Sequence, residues 1–386
     1  MAPAEVRKSS CLPDSQLYRP TQGNELTNTS SLAWYIPPHW LSSEHIQPQT
    51  ILEAASIASR AAKANPKHRT MSNCAIPLII HQTWKNRRIQ TWSTLLRYCV
   101  EKWLERVLAD EVAYFFWDDD GIMMALEALE PDFVASFMAL PVNVERMDVF
   151  RILVLKWFGG IYADVDTLPL RKPAMWVTGS DIEPWTDDVT GAQYNSTASV
   201  SLILGIEADT DPASDSYWRM GYFYPIQLTQ WALAASSGQP VLLRFMDQLS
   251  TQLQAVTNDN NGSLDSPAAI KELQRIGPLA LTGPAAITAV TQKWLHAQIG
   301  LRWNALSGLL DNGRSKLVHD VLILPISAFR YVCTPLFPGR ARYPVSLISM
   351  ATVPAVVVIA TWEAGRSRIL RRVYGTALRG PGAPST

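Results

Sequence analysis

Short continuous apolar runs alternate with segments of helical spacing between residues 75 and 166, and this alternation restricts the chain to few folds. An apolar run of four to eight residues is typical of a strand buried on both faces. Strands that alternate with helices predict an α/β domain with a mostly parallel sheet. The predicted strands are Ile76–Ile80, Ala113–Trp117 and Ile161–Val165, and the predicted helices between them are Gln90–Leu108 and Glu145–Phe158.

Polar clusters mark the carboxyl ends of these three strands. The clusters are His81–Trp84, Asp118–Asp120 and Asp164–Asp166. Ligands of open α/β sheets bind beyond the carboxyl ends of the strands, so we expect a binding site at this edge. Beyond it, the region 176–265 mixes loops and helices, and further strands and helices are predicted at Val200–Ile206, Val241–Val256, Ala285–Ala297 and Val321–Pro325.

The chain divides into four predicted regions, of which residues 75–330 form a single α/β domain. Residues 1–70 form a polar, Pro/Ser/Thr-rich lead followed by a helix at about Ile51–Lys63. Residues 331–364 hold an apolar segment, and residues 365–386 form a basic, partly disordered tail.

The late apolar segment, Val345–Trp362, has two possible structures. It is just long enough to cross a bilayer. Pro354 and the β-branched run Val356–Ile359 also suit a buried strand, so a membrane span and a strand both stay open. Residues 1–50 contain no apolar run after a basic start, so no signal peptide is visible there.

Charge and cysteine content narrow the possible functions. The 34 basic residues balance 34 acidic ones, which gives no electrostatic reason to expect nucleic acid as a partner. The four cysteines lie far apart, without the spacing of a zinc or redox site, and are expected to be buried thiols. Glycosylation sequons that start at Asn28, Asn195 and Asn261 mildly favour a secretory compartment.

The segment that carries the chemistry runs from Gly159 to Asp166. Two carboxylates one residue apart at a strand end can reach a single cation where the strand breaks into a turn. Such hard oxygen ligands suit Mn²⁺ or Mg²⁺. An Asp-x-Asp pair is weak evidence alone, but here an amphipathic helix, a Gly-Gly break and an apolar strand precede Asp164 and Asp166.

The stretch from Arg146 to Thr167 resembles glycosyltransferase family 32, which contains fungal initiating α-1,6-mannosyltransferases and mannosyl-inositol-phosphoceramide synthases. The resemblance covers roughly residues 75–330. Supporting segments occur in the family's order at Ile79–Lys85, Phe116–Asp120, Gly205–Asp209, Gln230–Trp231, Leu281–Pro284 and Asp320–Pro325. It implies a GT-A fold and a retaining transfer from a nucleotide sugar, with mannose from GDP-mannose as the expected donor.

The resemblance also assigns roles to residues. Asp164 and Asp166 become the metal and diphosphate pair, and Asp148 and Arg151 face the donor sugar and its phosphates from one side of the preceding helix. Trp84 and His81 match the nucleotide-base pocket, with Trp84 as the stacking residue, and Tyr162 joins the donor-binding set. A core position for Trp84, a structural role for His81 and a surface ion pair of Asp148 with Arg151 are the alternatives.

Other acidic residues have less defined roles. Asp118–Asp120 either orient the donor or cap the next helix, and Glu207 and Asp209 are candidates for contacts with acceptor hydroxyls. The sequence departs from the family at Met147, where alanine is usual, at Gln239-Pro240, where His-Pro is common, and after Pro325.

We therefore predict a metal-dependent retaining transfer of a hexose to a glycan or glycolipid acceptor. The expected location is the lumenal side of the Golgi or another endomembrane, with membrane association left open. A UDP-hexose donor and a catalytically inactive relative that binds glycans or nucleotide sugars are alternatives. A metal-dependent phosphohydrolase would need further His or Asp ligands, and a membrane-anchored scaffold leaves the 146–167 segment unexplained.

Overall fold

The computed structural model describes residues 33–41, 47–214, 216–260, 262–310 and 313–329, and the backbone of 356–358. Its strands are β1 (Trp34–Tyr35), β2 (Ile79–Thr83), β3 (Ala113–Trp117), β4 (Gly160–Ala163), β5 (Thr167–Pro169), β6 (Trp185–Thr186), β7 (Gln193–Tyr194), β8 (Leu202–Asp209), β9 (Ile226–Ala235), β10 (Lys316–Val318), β11 (Val321–Leu324) and β12 (Val356–Val358). Its α-helices are α1 (Ile51–Ala64), α2 (Thr94–Asp110), α3 (Asp119–Leu129), α4 (Val134–Ala139), α5 (Asn143–Phe158), α6 (Ser216–Arg219), α7 (Pro240–Asp259), α8 (Pro267–Ile276), α9 (Pro278–Leu281) and α10 (Pro284–Ile299).

One eight-stranded mixed sheet organises the domain, in the order β1-β3-β2-β4-β9-β8-β11-β10. Strands β2, β3, β4, β8 and β11 run in one direction, and β1, β9 and β10 run in the other. Helices α1 and α2 pack beside β3, and α5 and α10 pack beside β9. The predicted α/β class, a mixed sheet flanked by helices, is confirmed.

Strand β9 is the main element that the sequence analysis missed. It lies antiparallel between β4 and β8 and separates the two parallel parts of the sheet. Its sequence includes Gln227, Thr229 and Gln230, which are all fully or almost fully buried. These polar residues interrupt the apolar pattern by which buried strands are recognised.

The sheet and its core extend N-terminal to the predicted boundary at residue 75. Strand β1 pairs with β3, and the alanine-rich face of α1 is buried in the main hydrophobic core. The predicted lead is therefore part of the domain from residue 33 onward, while its first 32 residues lie outside the described part of the chain.

The predicted C-terminal regions lie mostly outside the described residues. Within them, Val356–Val358 pairs antiparallel with Thr167–Pro169, which agrees with the strand alternative for this portion of the apolar segment. Among the helices that the structure describes, none has the length and apolar character needed to span a bilayer. Two described cysteines, Cys74 and Cys99, are free and buried, as predicted.

The Gly159-Gly160 pair allows β4 to enter between β2 and β9. Both glycines have a positive φ, 68° for Gly159 and 112° for Gly160. A Cβ on Gly160 would lie 2.4 Å from the carbonyl oxygen of Ile79 in β2. The close approach of two backbones therefore requires glycine directly before the segment that carries the two aspartates.

We expect Gly160→Ala to lower the free energy of unfolding by about 3 kcal/mol or more, because it combines a left-handed backbone with a clash. Gly191→Ala is the matched control, since Gly191 also has a positive φ but no atom within 4 Å of the added Cβ. That control should cost only about 1 kcal/mol. Urea denaturation followed by tryptophan fluorescence measures both, and equal losses would contradict the explanation.

Candidate functional site

Asp164 and Asp166 lie in a tight turn at the carboxyl end of β4. The amide of Thr167 donates a hydrogen bond to the carbonyl of Asp164 over 3.1 Å, which closes the turn. The amide of Asp164 donates to the carbonyl of Trp231 in β9 over 2.9 Å. Both aspartate side chains are partly exposed. The turn thus presents both carboxylates at the sheet edge where the sequence predicted a site.

Buried side chains hold this turn from below. The amide nitrogen of Gln82 donates to the carbonyls of Ala163 and Asp164 over 3.4 and 3.3 Å, and the hydroxyl of Tyr114 donates to the Gln82 oxygen over 3.0 Å. The indole of Trp103 donates to the carbonyl and hydroxyl oxygens of Thr167. The sequence analysis did not single out Gln82 or Trp103, although a glutamine within a buried strand signals a required hydrogen-bond partner.

Arg151 connects the two groups of site residues that the sequence predicted. Its guanidinium lies 3.3 Å from Oδ1 of Asp148 and 3.4 Å from Oδ1 of Asp164, and it donates to the carbonyl of Gln230 over 3.0 Å. Only 8% of its side chain is exposed. The ring of Tyr162 lies under the guanidinium at 5.2 Å, and the Tyr162 hydroxyl donates to Oδ1 of Asp164 over 2.9 Å.

Asp148 is buried on α5 and depends on two partners. Burial raises its pKa to about 6, while Arg151 and the hydroxyl of Thr282 act in the opposite direction. The Thr282 hydroxyl donates to Oδ2 of Asp148 over 3.1 Å, and the backbone carbonyl of Thr282 accepts from the side-chain amide of Gln230 over 3.0 Å. Thr282 therefore joins Asp148 to the segment of β9 that holds Arg151. Its role was not predicted.

The two aspartates suit a divalent cation that takes further ligands from a substrate. Tyr162 and Arg151 engage Oδ1 of Asp164, and no residue in the described part of the chain forms a hydrogen bond with its Oδ2. The described residues contain no group of three or more His, Cys, Asp or Glu side chains arranged to hold a metal. Two partly exposed carboxylates fit Mg²⁺ or Mn²⁺, which keep waters and phosphate oxygens in their coordination shells.

His81 lies away from this network. It is fully buried within β2, where its Nε2 is 2.9 Å from the carbonyl of Gly159 and its Nδ1 accepts from the indole of Trp117 over 3.2 Å. Burial lowers its pKa to about 4, so the ring is neutral. This position agrees with the structural alternative for His81 and gives no support to a nucleotide contact.

Trp84 lies directly after β2 at the same sheet edge. It is partly exposed and packs against Trp92, with ring centroids 5.9 Å apart. Met147 accepts a hydrogen bond at its sulfur from the hydroxyl of Thr83, so the larger side chain packs against the end of β2. Trp84 thus packs against the hydrophobic core while it stays partly exposed, and its stacking role stays a prediction.

Three further acidic candidates, Asp118, Asp209 and Glu207, have structural partners. Asp118 caps α3 by accepting from the amide of Gly121 and pairs with Arg87 at 2.6 Å, which agrees with the capping alternative. Oδ2 of Asp209 accepts hydrogen bonds of 2.7 Å from the amides of Gly308 and Leu309, and its Oδ1 accepts from the hydroxyl of Ser307 over 2.9 Å. Both oxygens therefore hold a loop, which gives no support to an acceptor contact. Glu207 pairs with Gln227 over 2.6 Å, and burial raises its pKa to about 7.

Residues 93–188 match the family model described as "Glycosyltransferase sugar-binding region containing DXD motif". The chain is 28% identical over 263 residues to "Initiation-specific alpha-1,6-mannosyltransferase" of Schizosaccharomyces pombe, which covers 66% of this chain and 57% of that protein. It is 33% identical over 133 residues to "Inositol phosphoceramide mannosyltransferase 3" of the same organism, covering 32% of this chain and 36% of that protein. Among solved structures it is similar to "PaToxG Glycosyltransferase", with 16% identity, a TM-score of 0.34, and coverage of 66% and 83%.

These matches confirm the predicted resemblance at the level of the DXD family. The chain spans between about a third and three fifths of the length of these two curated relatives. The matched residues include α5, β4 and the turn with Asp164 and Asp166, and so contribute Asp148, Arg151 and Tyr162 to the network around Arg151.

The buried carboxyl of Glu145 makes the stability of the folded protein depend on pH. It is fully buried near the start of α5, and its Oε2 accepts from the amide of Val142 while its Oε1 has no partner among the described residues. Burial raises its pKa from 4.5 to about 7. The unfolded chain therefore loses this proton at lower pH than the folded chain, and the folded state loses stability as pH rises from 4.5 to 7.

We expect Glu145→Gln to have a pH-dependent effect, because it removes the buried charge but keeps the shape. Its stability relative to the original protein should rise between pH 4.5 and 7, by up to about 3 kcal/mol. The exposed Glu101→Gln is the control, which should show no such dependence. Urea denaturation at several pH values measures the difference, and a constant offset at all pH values would show that folding does not raise the pKa of Glu145.

Proposed function

We propose that this chain, whose residues 93–188 match the model of a DXD-containing glycosyltransferase sugar-binding region, transfers mannose from GDP-mannose to a glycan or glycolipid acceptor. The observation that carries the proposal is the contact of Arg151 with both Asp148 and Asp164 at the carboxyl edge of the sheet. The mannosyltransferase names of the curated relatives support the choice of mannose. A UDP-hexose donor is the alternative.

Asp164 and Asp166 would hold a divalent metal, Mn²⁺ or Mg²⁺, beside the donor-binding residues of this sheet edge. When bound, the metal supplies positive charge that stabilises the leaving nucleoside diphosphate. Arg151 contributes a second, permanent positive charge, and its fork of N–H groups matches phosphate geometry. Asp148 accepts hydroxyl hydrogen bonds from the donor sugar and keeps Arg151 in place.

The acceptor hydroxyl attacks the face of the sugar from which the diphosphate leaves, so the configuration is retained. The departing phosphate oxygen takes the acceptor proton, and no separate base is required. Trp84 stacks on the nucleotide base, since its aromatic ring at this edge offers a flat surface to the flat base. Tyr162 orients the carboxylate of Asp164 through its hydroxyl. We further propose that the enzyme acts in the lumen of an endomembrane compartment.

We expect Asp164→Asn and Asp166→Asn each to reduce Mn²⁺-dependent transfer at least about 100-fold while the fold stays intact, because the neutral amide binds the cation weakly. The control is Asp259→Asn at the exposed end of α7. Release of GDP from GDP-mannose with and without acceptor measures activity. Binding of GDP-mannose by a protein that never turns it over would favour the inactive relative.

Thr282 is expected to act as a positioning residue for Asp148 and Arg151. Thr282→Val removes the hydroxyl bonded to Asp148 and should raise the KM for GDP-mannose about 10-fold, in line with one lost hydrogen bond to a charged group. Thr282→Ser should restore most of the affinity. Thr291→Val, another fully buried threonine whose hydroxyl bonds only to a helix carbonyl, tests for a purely structural effect. A change in melting temperature with unchanged KM would show that Thr282 is only structural.

A further inference from the structure

A cavity of about 460 Å³ lies between α7 and α10, outside the network around Arg151. Phe223 and Tyr224, which precede β9, form one wall. A second cavity of about 520 Å³ shares Tyr224, Ala289 and Lys293 with the first and continues the groove along α10. The two cavities therefore adjoin at these three shared residues.

The groove adjoins the donor network through one short segment. Ala280, Ala285 and Ala286 line the first cavity, and Thr282, which bonds to Asp148, lies between them. Ala280 is two residues from Thr282, so their Cα atoms are at most about 7 Å apart. The same short segment therefore lines the groove through Ala280 and contacts the donor network through Thr282.

The lining of the first cavity has the chemistry of a sugar-binding surface. Two aromatic rings provide apolar faces, and Gln248, Thr251 and Gln252 provide amide and hydroxyl groups that both donate and accept hydrogen bonds. The side-chain oxygen of Gln252 is buried and has no hydrogen-bond partner among the described residues. An acyl chain would leave these polar groups unpaired, and a single lysine, Lys293, is a weak site for a phosphate.

We propose that this groove binds the acceptor as a neutral hexose chain, through stacking on Phe223 and Tyr224 and hydrogen bonds from the glutamines of α7. The proposal rests on the glycosyltransferase function proposed above and adds the acceptor's binding site to it. The same sugar chemistry can come from a free glycan or from the head group of a glycolipid.

The test uses the full chain with Mn²⁺, GDP-mannose and α-linked mannotriose as acceptor. Ala289→Trp places a bulky side chain at the wall that both cavities share and should raise the acceptor KM at least about 10-fold. The KM for GDP-mannose and its hydrolysis without acceptor should stay within about twofold, which also shows that the variant folds. Ala297→Trp, on an exposed part of α10 outside both cavities, is the control.

A smaller change tests the hydrogen bonds. Gln252→Ala should raise the acceptor KM about 3- to 10-fold, as expected for one lost hydrogen bond. Gln254→Ala, on the same helix but bonded to Asn258 on its surface, should leave the KM unchanged. An acceptor KM in Ala289→Trp equal to that of Ala297→Trp would overturn the groove proposal while the transferase function stands.

The source of the sugar is resolved by repeating the assay with the same trisaccharide on an alkyl chain. Equal effects of Ala289→Trp on the free and alkyl-linked acceptors support binding of the sugar. An effect on the alkyl-linked acceptor alone would mean that the groove binds lipid, and the proposal is then wrong. If the unmodified protein neither hydrolyses GDP-mannose nor transfers from it, the proposed function fails and the groove proposal fails with it.

Discussion

The rest of the site depends on the ion pairs that the guanidinium of Arg151 forms with Asp148 and Asp164. This guanidinium lies between two carboxylates and a backbone carbonyl, with little access to solvent. A buried charge is costly unless it is paired and hydrogen-bonded, so Asp148, Asp164 and Gln230 must stay in place around it. Burial of the Arg151 guanidinium thus holds α5, the turn after β4 and β9 together as a single unit.

Strand β9 makes this unit possible by its direction. Because it lies antiparallel beside β4, its residues Gln230 and Trp231 reach the same edge as Asp164. The pairing of β8 with β9 also shifts register between Leu204 and Ile206. Such irregularities occur near active sites, where they direct side chains and backbone groups away from the regular ladder. Here they bring a free backbone carbonyl to Arg151.

Local patterns predicted the elements that are apolar and periodic, and failed where burial depends on pairing across the chain. β3 was predicted with its observed bounds, and α5 within two residues, because their apolar residues follow a simple period. β9 was missed because Gln227 and Gln230 are buried through contacts with Glu207 and Thr282, which lie far away in sequence. The end of β2 was placed too early for the same reason, since His81 and Gln82 are polar and yet buried.

The site shows the same division. Asp148, Arg151, Tyr162 and Asp164 were identified from a compact motif, and the structure brings them into contact. Asp209 was only a candidate for acceptor contacts, and the structure shows that it holds a loop, because a carboxylate's partners cannot be read from its neighbours in sequence.

The position of Thr282 has a consequence for how the two proposed substrates affect each other's binding. One short segment reaches the donor-side carboxylate through Thr282 and lines the groove through the alanines around it. Any shift of that segment when one substrate binds must alter the affinity for the other, and linkage requires the effect to be equal in both directions. The two-residue junction between α9 and α10 can in this way make the two proposed substrates cooperative without any movement of the sheet.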